Sequence, residues 1–259
     1  MSEIKLVTWN INSVRARTGR LVSWLERHQP DILCLQEIKC VDEQFPTEEV
    51  KALGYETLVF GQPTYNGVAI LTRQPATLVQ RGLPGDETDE QARLIAVDVE
   101  GLRIVNVYVP NGKEVGSDKY AYKLAWLSRL EKWLAAEVTD GKPLVICGDW
   151  NIAPDERDAN FPDQWASSVL CHQAVRDAWF RLVGLGLTDL VRRHHEGPGP
   201  FTWWDYRSLG FPRNDGLRID HHLATPAAAG LCTSASVDRD ERKGEKPSDH
   251  APVVVTLTR

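Results

Sequence analysis

Six apolar segments of this chain end or begin on acids, carboxamides, a tyrosine or a histidine, and no other feature limits the fold so much. Trp9-Asn10-Ile11-Asn12 closes the first and Gln36-Glu37 the second. Val107-Tyr108-Val109-Pro110-Asn111 closes a later one, and Gly148-Asp149-Trp150-Asn151 the next. Asp220 opens another, and Asp249-His250 opens the last. In a mixed sheet, strands antiparallel to their neighbours start on the edge where those neighbours finish. All six segments therefore fit one rim, where ligands of α/β proteins gather.

The surrounding pattern alternates strands with amphipathic helices. Strands are predicted over 4–9, 31–36, 55–60, 67–71, 94–99, 103–109, 143–147, 219–224 and 251–256. A helix is predicted over 13–28, capped by Asn12 or Ser13, because Val14, Leu21, Trp24, Leu25 and His28 recur at helical spacing. Others are expected over 118–138 and 174–185. A strand–helix–strand start and another at 103–147 suggest two similar halves facing one another. No linker composition divides the chain, so one domain over 1–259 is expected.

Composition bounds the setting. Hydrophobic residues make up 42% and charged residues 25%, as in a soluble enzyme. No charged-then-apolar leader precedes the first strand, and no apolar run approaches the ~20 residues that span a bilayer. Cys34, Cys40, Cys147, Cys171 and Cys232 are scattered with no Cys-x-x-Cys pair. That speaks against structural zinc and a disulfide framework, and for a reducing cytoplasm. The net charge of −6 argues against polyanion binding by the whole surface, but leaves room for a local basic track.

Carboxylates, carboxamides, a tyrosine and a histidine, without a candidate nucleophilic Ser or Cys, suit phosphodiester hydrolysis. Its developing negative charge needs donors and a hard cation, and its water nucleophile needs a base. Mg²⁺ takes one or two carboxylates and keeps waters, so Glu37 alone, or with Asp249 or Asn12, suffices. Neighbours on extended chain point to opposite faces, so the partner of His250 is expected to be Asp220 rather than Asp249. Asp149 and Asn151, two apart, share a face.

Seven strings carry a resemblance: Thr-Trp-Asn-Ile-Asn-Ser-Val-Arg-Ala-Arg (8–17), Asp-Ile-Leu-Cys-Leu-Gln-Glu-Ile-Lys (31–39), Asn-Val-Tyr-Val-Pro-Asn-Gly (106–112), Gly-Asp-Trp-Asn-Ile-Ala-Pro (148–154), Phe-Thr-Trp-Trp-Asp-Tyr-Arg (201–207), Gly-Leu-Arg-Ile-Asp-His (216–221) and Lys-Pro-Ser-Asp-His-Ala-Pro-Val (246–253). In this order they resemble the exonuclease III family of apurinic/apyrimidinic (AP) endonucleases, within the endonuclease/exonuclease/phosphatase superfamily. The resemblance implies a four-layer α/β sandwich of two packed mixed β-sheets flanked by helices, DNase I-like. It implies a Mg²⁺-dependent (or Mn²⁺-dependent) enzyme, monomeric and acting on double-stranded DNA with AP sites or blocked 3′ ends. Its activities would be AP-site incision, 3′–5′ exonuclease and 3′-phosphatase.

The same resemblance assigns roles. Glu37 would bind the metal, with Asn10 and Asn12 around it and Asp249 free for metal or water. Asp149 would serve the water nucleophile or the leaving group, Asn151 and Tyr108 the phosphate, and Asp220 would orient His250. Whether His250 is a general base or a positive phosphate clamp stays open. Trp203, Leu217 and Ile219 would wall a pocket for a base-less sugar, with plain core packing as the alternative. Arg93, Asn111, Lys119, Lys123 and Arg207 would contact backbone phosphates.

Asp220-His221-His222 spells the signature of another phosphoesterase family whose further acidic motifs are absent. His194-His195 is read as a solvated helix end. Within 155–172, a bulky residue is expected to narrow the sugar pocket and favour 3′-end processing over AP cleavage. An inositol-phosphate or lipid phosphatase and a non-catalytic nucleic-acid binder are the competing readings.

Overall fold

The computed structural model describes residues 3–258, apart from the side chain of Ser208. Its strands β1 (Glu3–Asn10), β2 (Ile32–Gln36), β3 (Glu56–Phe60) and β4 (Val68–Thr72) form one sheet with β11 (Cys232–Val237) and β12 (Val253–Thr258). The order is β11-β12-β1-β2-β4-β3. The second sheet runs β5-β6-β7-β8-β10-β9, from β5 (Ala76–Arg81), β6 (Leu94–Val99), β7 (Leu102–Tyr108), β8 (Leu144–Asp149), β9 (Thr188–Asp189) and β10 (Asp220–Ala224). Each sheet holds one parallel pair at its centre, β1 with β2 and β7 with β8, and the other pairings are antiparallel. A parallel pair needs a crossover. Here α1 (Thr18–His28) and α3 (Asp118–Glu137) supply them, which gives the two similar halves the sequence suggested.

Side-chain alternation sorts residues into layers. Ile4 and Leu6 of β1 face Val145 and Cys147 of β8 across the inter-sheet core, together with Ile32, Ile70, Val97, Ile104 and Val255. Val7 and Trp9 point the other way and pack on Leu21, Trp24 and Leu25 of α1. Leu144 and Ile146 cover the outer face of the second sheet, under α3 and α5 (Gln173–Val183). The result is helix, sheet, sheet, helix. Central strands are buried on both faces, which explains their nearly continuous apolar runs.

Three strands were not anticipated. The outer faces of β5 and β11 are largely exposed and β9 is two residues long, so none shows an apolar pattern. The first helix is shorter than expected, with a 3₁₀ turn at Arg15–Arg17 ahead of α1. Asn12 does not cap it; Ser13 Oγ accepts only a long 3.4 Å bond from Ala16 N. Short helices α2 (Thr47–Lys51), α4 (Pro162–Trp165), α6 (Leu190–His194), α7 (Gly210–Arg213) and α8 (Pro226–Ala229) complete the fold.

One buried ionic network anchors the segment that enters β10. Arg218, 1% exposed, donates to Asp158 at 2.6 Å and to Asp189 at 2.7 Å, and Arg192 shares Asp158. Burial would raise the Asp158 carboxyl, but Arg218 outweighs it and holds the group below its ordinary range. Its stabilising share is therefore full above the ordinary carboxylate pKa and is lost as pH falls toward the depressed one. Asp158→Asn leaves two guanidiniums without their shared charge and is expected to cost about 3–5 kcal/mol in denaturant unfolding at neutral pH. A loss below about 1 kcal/mol would show that the network holds nothing in place.

Candidate active site

The parallel pairs finish, and their antiparallel neighbours begin, on the same rim. Asn10 ends β1, Tyr108 ends β7, Asp149 ends β8 and Asp220 starts β10, where it pairs in register with Asp149. Glu37 follows β2 directly, and His250 precedes β12 in a bridge with Trp203. Gly148 permits the close approach of β8 to β7, since a Cβ there would lie 1.9 Å from the Val107 carbonyl oxygen. Beyond the strands the backbone turns sharply. Asn12, Ser13, Glu37, Lys39 and Asn151 all take left-handed φ, between 46° and 83°. Such residues persist where surrounding bonds over-determine them. Here Ser13 N donates to Glu37 O at 2.7 Å and Asn151 N to Asp149 Oδ1 at 2.9 Å.

One carboxamide joins the two sheets at this rim. Asn10 Nδ2 donates to Glu37 Oε1 and to Asp149 Oδ2, both at 2.9 Å. Tyr108 OH also donates to Glu37 Oε1 at 2.9 Å, and Asn151 Nδ2 to Asp149 Oδ2 at 3.3 Å. His250 turns Nδ1 to Asp220 Oδ2 at 2.9 Å and Nε2 to Asp149 Oδ2 at 3.7 Å. Thr202 Oγ1 donates to Asp220 at 2.5 Å and fixes the far side of that carboxylate. On the near side, Asp249 accepts from Asn12 Nδ2 at 2.9 Å and Trp203 Nε1 at 3.0 Å. Glu37, through Asn10, and His250 thus meet at Asp149 Oδ2 within one cluster.

The electrostatics divide these groups by task. Burial alone would draw His250 down, but Asp220 and Asp149 outweigh it and raise the imidazole to about 10. Burial pushes Asp149 up to about 7, against the opposing pull of His250. Burial would likewise raise Glu37, yet Lys39 holds it below the ordinary range. Burial lifts the Tyr108 hydroxyl far above its usual value, so it remains a donor. The rim therefore carries a fixed imidazolium, a fixed carboxylate and one acid poised near neutrality.

The donor set near Glu37 suits a hard cation. Lys39 Nζ already sits among its oxygens, 2.8 Å from Glu37 Oε2 and 2.7 Å from Asn12 Oδ1, and links Glu37 to the Asn12–Asp249 pair. All these ligand atoms are oxygens, the chemistry Mg²⁺ or Mn²⁺ takes. Asp149, Asp220 and His250 also offer ligand atoms within 4.8 Å of one another. There, however, His250 Nδ1 is taken by Asp220, which makes that trio a proton-handling unit before it is a metal cage.

Several sequence expectations need correction. Lys123 is 0% exposed and cannot reach a DNA phosphate; its ammonium is spent on backbone carbonyls. Leu217 and Ile219 are buried in the core beneath α3 and α5, so only Trp203, half-buried, is left to face a sugar. Arg93 is mostly buried, stacked 4.7 Å over the Tyr108 ring. Asn111, Lys119 and Arg207 are exposed, as phosphate contacts require. Asp220, His221 and His222 divide between two sheet faces: His221 packs on Trp179 at 4.4 Å, with its pKa drawn down to about 4 by burial. His194 and His195, read as a solvated helix end, are instead half-buried against β11, at Cys232 Sγ and Ala235 O. Sequence reasoning passed over Lys39 and Thr202. The position of Lys39, two residues after Glu37, was the available signal.

A cavity of 620 Å³ opens beside Tyr108, lined by Arg93, Lys113, Lys119, Asn111 and Asn66, with no acid in its wall. Three cationic side chains thus line one recess in a chain of net charge −6. Along 155–172, Trp165 packs edge-on against Trp203 at 5.7 Å and bonds Asp215 at 2.9 Å.

Known proteins share this fold and much of this sequence. An exodeoxyribonuclease III of Haemophilus influenzae is 38% identical over 96% of this chain and 98% of its own length. A 3′ phosphatase from Neisseria, solved bound to a product DNA hairpin, superposes with a TM-score of 0.96 at 40% identity, over 99% of this chain and 100% of that one. An AP endonuclease from Archaeoglobus fulgidus gives 0.94 at 38% identity, over 98% of this chain and 99% of that one. Residues 7–250, which span every polar side chain of the rim, match the profile of one family, and the chain belongs to it: the Endonuclease/Exonuclease/phosphatase family.

Proposed function

We propose that the chain is a DNA-repair phosphodiesterase, dependent on Mg²⁺ or Mn²⁺, that clears blocked 3′ ends, digests 3′ ends of duplex DNA and incises at AP sites. The observation that carries this reading is the Asn10 carboxamide, which sets a metal-type carboxylate, Glu37, beside an acid of pKa about 7, Asp149. The basic cavity beside Tyr108 supports a polyanionic substrate despite the overall charge of −6. The sequence relatives and structural neighbours are named for these same DNA activities.

The residues divide the work as follows. Asp149 Oδ2 accepts a proton from the attacking water. The Nε2–H of His250, kept protonated by Asp220, donates to a phosphate oxygen and stabilises charge that grows in the transition state. Of the two roles open to His250, this reading takes the positive clamp. Tyr108 and Asn151 are the further donors within reach of that phosphate. Asn151 gives up its 3.3 Å bond to Asp149, the longest around that carboxylate, to serve it. Glu37, with Asn12 and Asp249 nearby, would hold the divalent ion, which would supply Lewis-acid stabilisation of the phosphate's charge.

On this account kcat/KM rises with pH through about 7 as Asp149 loses its proton and falls only near 10 as His250 loses its own. His250→Asn is expected to lower kcat by ~10²–10⁴ and abolish the alkaline fall. A variant with near-normal turnover would remove His250 from the chemistry. In a substrate panel, a duplex 3′-phosphate and an internal AP site are cleaved with Mg²⁺ and not with chelator, and inositol phosphates are left intact. Preferential hydrolysis of an inositol phosphate would favour the phosphatase reading instead.

Trp165, packed edge-on against Trp203, is the bulky residue that the 155–172 segment brings to the candidate sugar pocket. Trp165→Ala is expected to raise AP cleavage relative to 3′-phosphate release. An unchanged ratio would show that this loop does not set the preference.

A further inference from the structure

Lys123 lies in the second turn of α3, with Tyr120 and Trp126 on the same buried side, and is itself 0% exposed. Its ammonium donates to three backbone carbonyls from three separate loops: Asn111 O at 3.1 Å, Asn151 O at 2.6 Å and Val169 O at 3.2 Å. An ammonium has three donors and no acceptor, so this set uses it completely. The turn after Asn111 rests on its stem, where a Cβ on Gly112 would lie 3.0 Å from Lys123 Cδ. From there the bonds run onward. Asn111 Nδ2 donates to Asn151 Oδ1 at 2.9 Å, and Asn151 Nδ2 donates to Asp149 Oδ2. Burial draws the lysine down to about 7, while Asp149 pulls it back up. Filling this space with an apolar side chain would avoid the desolvation of a charge. What an apolar residue could not do is join the three loops.

We infer that Lys123 is a positioning residue for phosphodiester cleavage: it holds the Asn111 and Asn151 loops in one register, so that the Asn151 carboxamide meets Asp149 and the scissile phosphate. It touches neither DNA nor metal. The inference rests on the phosphodiesterase reading above and adds a residue that acts through another. Displacement of a reacting group by about an ångström costs on the order of a hundredfold in rate. Of the exposed phosphate contacts, Lys119 and Arg207 make no bond to Lys123 and only Asn111 sits on a loop it holds, so most DNA binding survives a change there. A kcat effect well in excess of any KM effect is therefore the signature.

The test uses the full-length chain, Mg²⁺ and a duplex bearing a 3′-phosphate, with wild type as reference. Lys123→Met keeps the volume and removes the donors. It is expected to lower kcat about 10- to 100-fold, with KM and the half-saturating Mg²⁺ concentration changed less than about threefold. In a cycle with Asn111→Ala, the double variant is expected to be no more than about threefold slower than the slower single one, because both act on Asn151. A kcat within about twofold of wild type overturns the inference, as do losses that multiply in the cycle or a fall in kcat matched by a rise in KM. If Lys123→Met does not unfold cooperatively, Lys123→Gln is held to the same criteria. Wild type without phosphodiesterase activity would sink the functional reading itself, a result separate from any of these.

Discussion

The rim is organised around one polar contact between the two sheets, which the bonds of Tyr108 to Glu37 and of His250 to Asp220 reinforce. The Asn10 amide spans from Glu37 on the first sheet to Asp149 on the second. Apolar packing between sheets is non-directional and would tolerate small slides. Hydrogen bonds do not, and the layer just below repeats the device. Asn106 Nδ2, from β7, donates to Leu35 O and Ala69 O of the opposite sheet, both at 2.9 Å, while Gln36 Nε2 donates back to Asn106 Oδ1 at 2.7 Å. These groups are fully buried, so a slide that broke them would leave polar atoms unpaired at a cost of about 1–3 kcal/mol each. Glu37 and Tyr108 follow Gln36 and Asn106 by one and two residues. The registration of the sheets therefore sets the distance between the groups that do chemistry.

A second constraint is local. Five non-glycine residues at the rim adopt left-handed backbone, a conformation that costs on the order of 1–3 kcal/mol each. The turns they make redirect side chains from the strand ends into the cleft, and the bonds of Ser13 to Glu37 and of Asn151 to Asp149 hold them there. Strain at the chemistry is thus offset by cross-sheet order beneath it.

Much of this was legible in the sequence, and the physical reason is simple. A strand end is marked by the hydrophobic run before it, so Asn10, Glu37, Tyr108, Asp149 and Asp220 could be placed on a rim without coordinates. Alternation excluded Asp249 as the partner of His250, and Asp220, at another strand end thirty residues earlier, was the candidate that the 2.9 Å contact bears out. What stayed hidden were the strands and side chains whose environment contradicts their type. The outward faces of β5 and β11 are exposed, so these strands have no apolar period to read. Lys123 looks like any solvated helix lysine until three carbonyls are found around it. Leu217 and Ile219 looked like pocket walls, but their alternation with buried Arg218 belongs to a core segment held by an ion network.

The central claim is that both sheets serve one cation and one phosphate. A crystal structure with Mn²⁺ and duplex DNA ending in a 3′-phosphate tests it most directly. The account predicts an anomalous Mn²⁺ peak about 2.1 Å from a Glu37 carboxylate oxygen. It also predicts the phosphate between that ion and His250 Nε2, with Asp149 facing the phosphorus. An ion bound within the Asp149–Asp220–His250 trio, or a phosphate out of reach of both Glu37 and His250, would contradict it.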